Sequence, residues 1–244
     1  MSPAKPLVYL ILGAAGSGRR EIVADLIEGG LGDGDRPAAF LAAGEASDAY
    51  DEKLGPFTRW SWTEGRIEAP APDGASHVFF FADGRRNPVD QVEAFKSWLE
   101  AAGGGLARVI CVVHCRLAAE HKELLEWYDA CVHFADVVLL NRREDVPNKW
   151  LAGFPARYTA RFYPCVIEPV KSGRVNNPAL ILEPQARRMS HYFDDELNWE
   201  VSGGGDEDER PDEIVAAPEE DPWLQRRAGG RRVKKLPDIA KYLA

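Results

Sequence analysis

An apolar run, Leu7-Val8-Tyr9-Leu10-Ile11-Leu12, passes directly into Gly13-Ala14-Ala15-Gly16-Ser17-Gly18 and then into Arg19-Arg20-Glu21-Ile22-Val23. A buried strand, a glycine turn and a helix start in immediate succession make the frame that surrounds phosphate with backbone N–H groups. Gly13 and Gly18 keep the spacing of G-x-x-x-x-G-K-[ST], in which the lysine reaches the β- and γ-oxygens and the hydroxyl holds Mg²⁺. Here Arg19 takes the lysine position and Arg20 the hydroxyl position. A guanidinium keeps the positive charge on a longer, planar fork, and it cannot coordinate a metal ion. The loop therefore predicts a phosphate or nucleotide site built from Gly13, Gly16, Ser17, Gly18, Arg19 and Arg20, and it speaks against efficient hydrolysis. The alternative is a glycine turn that joins strand to helix and holds no ligand.

Strand and helix signals alternate along the body of the chain. After the first pair, Pro37–Ala42 reads as a short strand, and His77–Phe81 as a strand buried on both faces. Val89–Ala102 has helical spacing, with Val89, Val92, Phe95 and Trp98 on one side and a stop at Gly103-Gly104-Gly105. Val109–His114 follows as a strand, Ala118–His133 as one long helix, Val137–Asn141 as a strand, and Tyr158–Ile167 as the place for one or two late strands. At least four strand–helix units in this order predict an α/β fold of the P-loop NTPase type, a mostly parallel sheet with helices on both faces. In such sheets ligands collect at the carboxyl ends of the strands.

With 45% hydrophobic residues and seven tryptophans, 244 residues suffice for a large core. A net charge of −9 argues against general nucleic-acid binding. No apolar run is long enough to span a membrane, and together with the lack of a leader pattern this predicts a cytoplasmic protein. Cys111, Cys115, Cys131 and Cys165 fit reduced thiols. His114 and Cys115 neighbour each other on a strand pattern that sends adjacent side chains to opposite faces, so no metal site is expected there. Two segments follow from composition: residues 1–183 as the NTPase-like domain and residues 184–244 as a charged tail without fixed structure. That tail carries the acidic block Asp206-Glu207-Asp208-Glu209 and a basic cluster, Arg226-Arg227 and Arg231–Lys235. It is also the expected attachment point for a protein partner, with Leu236–Leu243 as a short helix.

Three segments together carry a family resemblance. Gly13–Arg20 is the first, and Asp83-Gly84-Arg85-Arg86-Asn87-Pro88 after a buried strand is the second. The third is Phe134-Ala135-Asp136-Val137-Val138-Leu139-Leu140-Asn141-Arg142-Arg143-Glu144. In order and separation they resemble the phosphate loop, the E-[ST]-[ST]-G-x-x-[DN]-P segment and the F-A-D-x-[IV]-[IL]-[IL]-N-K-x-D guanine-recognition segment of the CobW/HypB/UreG family of P-loop GTPases. The likeness runs from about Leu7 to Ile167. It implies GTP as the ligand, with Asn141 supporting the loop, Arg142 lying along the base and Glu144 in the place of the aspartate that accepts from guanine.

The departures from the family pattern fall on its chemistry. Phe81 and Ala82 stand where the family carries Glu and Ser/Thr, and His114 stands where it carries an Asp. Asp83 is the one nearby acid, and Mg²⁺ is left without a recognisable ligand. The family's C-x-C-C segment has no counterpart, since no cysteine precedes Cys111; Phe57–Thr63 occupies that interval, with Trp60 and Trp62 as core or partner surface. The resemblance thus implies a GTP-binding protein with weak or lost hydrolysis. The competing reading is a pseudo-GTPase scaffold that binds a partner protein without nucleotide chemistry. A small kinase using Arg19 or Arg20 for an anionic substrate ranks behind both, because lid arginines and an adenine-site pattern are missing.

Overall fold

The computed structural model describes residues 5–194 and 220–243. Eight strands form one sheet: β1 (Leu7–Leu12), β2 (Pro37–Ala42), β3 (Phe57–Thr63), β4 (Arg66–Glu68), β5 (His77–Phe81), β6 (Gly105–His114), β7 (Val137–Asn141) and β8 (Val166–Pro169). Their order is β4-β3-β2-β5-β1-β6-β7-β8, and every pairing is parallel except that of β3 with the edge strand β4. The helices are α1 (Arg19–Gly30), α2 (Pro88–Ala102), α3 (Cys115–Glu120), α4 (Leu125–Phe134), α5 (Asn148–Thr159) and α6 (Pro178–Leu182).

Unbroken apolar strands need cover on both faces, and the helices supply it. Tyr9, Ile11, Phe79 and Phe81 point to one side, where they pack with Ile22, Val23 and Leu26 of α1 and Ile181 and Leu182 of α6. On the other side Phe80 meets Trp98 at 4.7 Å and Phe95 at 5.2 Å between ring centres, both from α2, and stacks on Trp60 at 5.3 Å. Trp60 is accordingly core, and its indole N–H donates to Phe81 O at 3.0 Å. Asn87 caps α2 by accepting from Val89 N, and Pro88 occupies the first turn, where a missing N–H costs nothing.

One expectation from the sequence is corrected. The single helix expected over Ala118–His133 is two helices, α3 and α4, joined by a 3₁₀ turn at Lys122–Leu124. His114 starts α3 early by accepting from Leu117 N, and His121 ends it with extended backbone, φ −122° and ψ 90°. The stretch expected to hold one or two late strands holds one, β8, which begins at Val166, and α5 runs through Thr159 before it. Pro155 masks this helix in the sequence, although Trp150, Phe154 and Tyr158 recur every four residues. Tyr158 Oη donates to Asp129 Oδ1 at 2.8 Å and Arg157 pairs with the same carboxylate, which pins α5 to α4.

The chain divides into Met1–Met189 with Leu236–Ala244, and Ser190–Lys235. Within the first unit, Arg187 N and Arg188 are tied to the buried Asp136 carboxylate at 2.6 and 3.2 Å. In the second unit the basic cluster has local structure. Lys234 lies over the Trp223 ring at 4.0 Å, Arg226 bridges Arg232, and Asp221 accepts from Trp223 N. The acidic block 206–209 lies outside the described residues. No helix among those described is long and apolar enough to cross a membrane.

Phe80 has the largest share of ring contacts in the core. Truncating Phe80→Ala is expected to cost about 3–5 kcal/mol in urea denaturation, with the circular dichroism of the folded state preserved.

Candidate functional site

The chain steps from β1 out to β2 on one side and, after β5, to β6 on the other, so the carboxyl end of β1 lies at the switch point where an open α/β sheet forms its crevice. The glycine loop fills this place. A parallel sheet of this order with a glycine loop between its first strand and first helix defines a P-loop nucleoside triphosphatase fold. Gly18 precedes α1 with φ 83°, and a Cβ there would lie 2.5 Å from Asn141 Nδ2. That amide, at the end of β7, donates to Ser17 O at 2.8 Å and holds the loop from one side. From the other side Gly84 O accepts from Ala15 N at 3.0 Å, so closely that a Cβ on Gly84 would stand 2.3 Å from that nitrogen. The Ser17 hydroxyl is buried with no hydrogen-bond partner. No side chain caps α1, so its first-turn amides keep the free N–H groups that helix geometry leaves.

Arg19 and Arg20 are not free cations. They are only 5% and 7% exposed. Arg19 donates to Ala82 O and to Glu45 Oε1. Arg20 reaches Glu45 Oε2 at 2.7 Å, Asp51 Oδ1 at 2.8 Å and Ala46 O at 2.9 Å. One carboxylate, Glu45, thus sits between the two guanidinium groups, and Asp51 completes a set of two cations and two anions. Burial alone would push the Glu45 carboxyl up, but the Arg19 and Arg20 guanidiniums outweigh it and hold it below the usual glutamate range. Arg59 on β3 fastens the loop that carries Glu45, donating to Ala42 O at 3.2 Å and Glu45 O at 2.8 Å. Acids of the same chain thus meet both guanidinium charges.

The hollow that remains beside the loop has a volume of about 210 Å³ and is bordered by Gly16, Gly18, Glu45, Asp48, Arg85 and Arg142. Glu45, Ser47 and Asp48 place oxygen atoms on its border, whereas the positions at which the resemblance places Mg²⁺ ligands, which must be oxygen donors, are differently occupied. Phe81 is buried core and Ala82 offers only its carbonyl, which Arg19 occupies. The Asp83 carboxylate accepts from Arg85 N and Arg86 Nε, each at 3.0 Å. His114 Nδ1 accepts from Leu117 N at 3.1 Å; burial, followed by the nearby Arg142, pushes its pKa below the usual histidine value. Among the described residues no group of three or more His, Cys, Asp or Glu converges on a metal position. The cysteines are free; Cys115 and Cys165 are pushed up to about 12 by burial, so they are thiols at neutral pH.

Just after β7, Arg142 adopts φ 51° and turns back over Gly18 to pair with Glu21 at 3.2 Å. Glu21 also accepts from Tyr50 Oη at 3.3 Å. A Cβ on Gly173, in the loop after β8, would stand 2.2 Å from Glu21 Oε1. Glu21 therefore occupies the crevice between the loops that follow β7 and β8. Glu144 stands apart on the exposed turn after β7. The structure brings Gly13, Gly16, Ser17, Gly18, Arg19, Arg20, Asn141 and Arg142 to one end of the sheet and leaves Glu144 at its margin. Sequence reading missed Glu21, Glu45 and Asp51. The signal for Glu45 was its place in Ala42-Ala43-Gly44-Glu45, an acid in the loop that leaves a buried strand.

No protein-family model matches the sequence, and no curated protein matches it. Among solved structures, the Zn(II)-bound YjiA GTPase from E. coli is 15% identical, with 75% of this chain and 67% of that one covered at a TM-score of 0.43. Hydrogenase maturation factor HypB from Archaeoglobus fulgidus is 16% identical over 68% and 81%, with a TM-score of 0.45. Cell division protein FtsY from Thermotoga maritima is 13% identical over 74% and 68%, also at 0.45. These likenesses add nothing beyond the fold class that strand order and glycine loop already define.

Removing the shared carboxylate leaves buried Arg19 without an acid and Arg20 with Asp51 alone, so Glu45→Ala is expected to destabilise the chain by about 3–5 kcal/mol. Because the folded carboxyl titrates below the ordinary value of 4.5, its contribution is complete above that pH and lost as pH falls through the lower folded value. Urea denaturation of the two proteins should show a constant gap near neutrality that closes in acid below pH 4.5.

Proposed function

We propose that this chain is a pseudo-GTPase: a P-loop protein that keeps the guanine-nucleotide frame and has exchanged hydrolysis for an internal ion-pair lock. The observation that carries the reading is the Glu45 carboxylate bound between Arg19 and Arg20 at the border of the phosphate hollow. A carboxylate at that border repels phosphate, and pairing removes the charge that would attract it. Phosphoryl transfer relies on a metal ion and on fixed cations to neutralise developing charge. Neither requirement is met by the residues at Arg20, Phe81 and Ala82.

What remains suits weak, metal-independent binding. The loop amides and Asn141 support the phosphate end, and a triphosphate enters by drawing Arg19 and Arg20 away from Glu45. At the other end a guanine base has to displace Glu21 from Arg142 before Arg142 can lie along it. Under this reading the protein works through what it binds rather than through turnover, with a protein partner as its client. A scaffold that takes no nucleotide at all is the second reading, favoured by the Glu21–Arg142 pair across the base crevice.

Titration with a fluorescent GTP analogue, with and without Mg²⁺, and assay of phosphate release distinguish these readings. The proposal predicts weak saturable binding that Mg²⁺ leaves unchanged and no phosphate release above background. In Glu45→Gln, checked for its fold by circular dichroism, binding should tighten by roughly tenfold, the effect of about 1.4 kcal/mol. Mg²⁺-dependent tight binding with turnover would overturn it, and absence of binding in both proteins would leave the scaffold reading.

A further inference from the structure

The segment Leu236–Ala244 belongs to the same compact unit as the sheet, although the chain leaves that unit at Met189 and passes through Ser190–Lys235 before returning. Its described part turns once as a 3₁₀ helix, Ile239–Tyr242, started by Asp238 Oδ1 accepting from Ala240 N at 3.2 Å. Two side chains anchor it. Ile239 is 1% exposed, and the Tyr242 ring meets His121 at 4.9 Å between centres.

Open space flanks both anchors. A cavity of about 380 Å³ lies between Leu236–Ile239 and Trp62, Arg86 and Gln91. Another of about 490 Å³ lies between Tyr242, Leu243 and Gly16, His114 and Leu117. Arg85 borders both of them and the hollow at the glycine loop. A core segment of this length would be packed on all sides at crystal-like density. This one is held by an aliphatic anchor and an aromatic anchor in a groove with room to spare, which is how a bound peptide sits.

We propose that this groove, beside the glycine loop, is a peptide-binding surface whose resident is the chain's own Leu236–Leu243, and that a partner protein displaces the resident with a segment of the same pattern. The pattern is an acid, an aliphatic anchor directly after it, and an aromatic residue three positions beyond the anchor, as in Asp238, Ile239 and Tyr242. Arg85 and Arg86 line the same cavity as Asp238, so the acid borders a pocket that carries positive charge. The resident is tethered, so it competes at the high effective concentration of an intramolecular ligand. A partner must bind more tightly than the isolated segment does, and when it succeeds the wall of the cavity beside Gly16 changes. This inference does not depend on nucleotide binding.

The test uses the full chain and a fluorescein-labelled peptide of residues 236–244. The peptide should bind saturably to Ile239→Asp, whose own segment cannot seat, and at least about tenfold more weakly to wild type, where the tethered resident competes. A peptide carrying Tyr242→Ala should bind to neither. A second measurement needs no variant: excess unlabelled peptide added to wild type should accelerate amide hydrogen exchange in the chain's own 239–243. Equal binding to both proteins, or no binding to the variant together with unchanged exchange in wild type, would overturn the proposal.

Discussion

One carboxylate held between two guanidinium groups sets the character of this molecule. Glu45 and its partner Asp51 balance Arg19 and Arg20 at the entry to α1, where the fold ordinarily presents uncompensated positive charge. Buried ions are tolerated only when paired and hydrogen-bonded, and here both guanidiniums meet an acid and a carbonyl. The two arginines that look like a damaged phosphate site are therefore parts of a cross-link between α1 and the loop after β2. Arg59 extends the cross-link to β3 by fixing that loop's carbonyls.

The same replacement recurs at the other end of the crevice. Glu21 and Arg142 pair across Gly18, with Tyr50 and Gly173 close against the carboxylate. In both places a carboxylate of the protein takes up the charge of an arginine beside the glycine loop. The backbone frame is unaffected, because strand order, the Asn141–Ser17 hydrogen bond and the Gly84–Ala15 contact do not involve those side chains. The frame and the ion pairs are thus separable: the frame rests on backbone and Asn141 contacts, while Arg19, Arg20 and Arg142 are engaged with acids of the same chain.

Much of the frame was legible in the sequence. Continuous apolar runs such as His77–Phe81 and Val137–Asn141 have one stable use, a strand covered on both faces, and glycine turns marked where they end. Asn141 as a support of the loop came from the resemblance of Phe134–Glu144 to a guanine-recognition segment, and its amide donates to Ser17 O. The α5 helix was hidden by Pro155, and the break at His121 carries no glycine or proline to announce it. Glu45 and Glu21 were not legible, since a lone acid in a loop or on a first helical turn looks like solvated charge until the fold sets it against a guanidinium. The ordering of Trp223 by Lys234 was concealed in the same way, by composition that reads as a charged tail.

A double-mutant cycle on Glu45→Ala and Arg20→Ala, followed by chemical denaturation, measures whether the arginines belong to the protein's own structure. If they do, the double mutant will be less destabilised than the sum of the single mutants, with a coupling of about 2–3 kcal/mol. Additive losses would contradict the lock and return Arg20 to the role of a free cation awaiting a ligand.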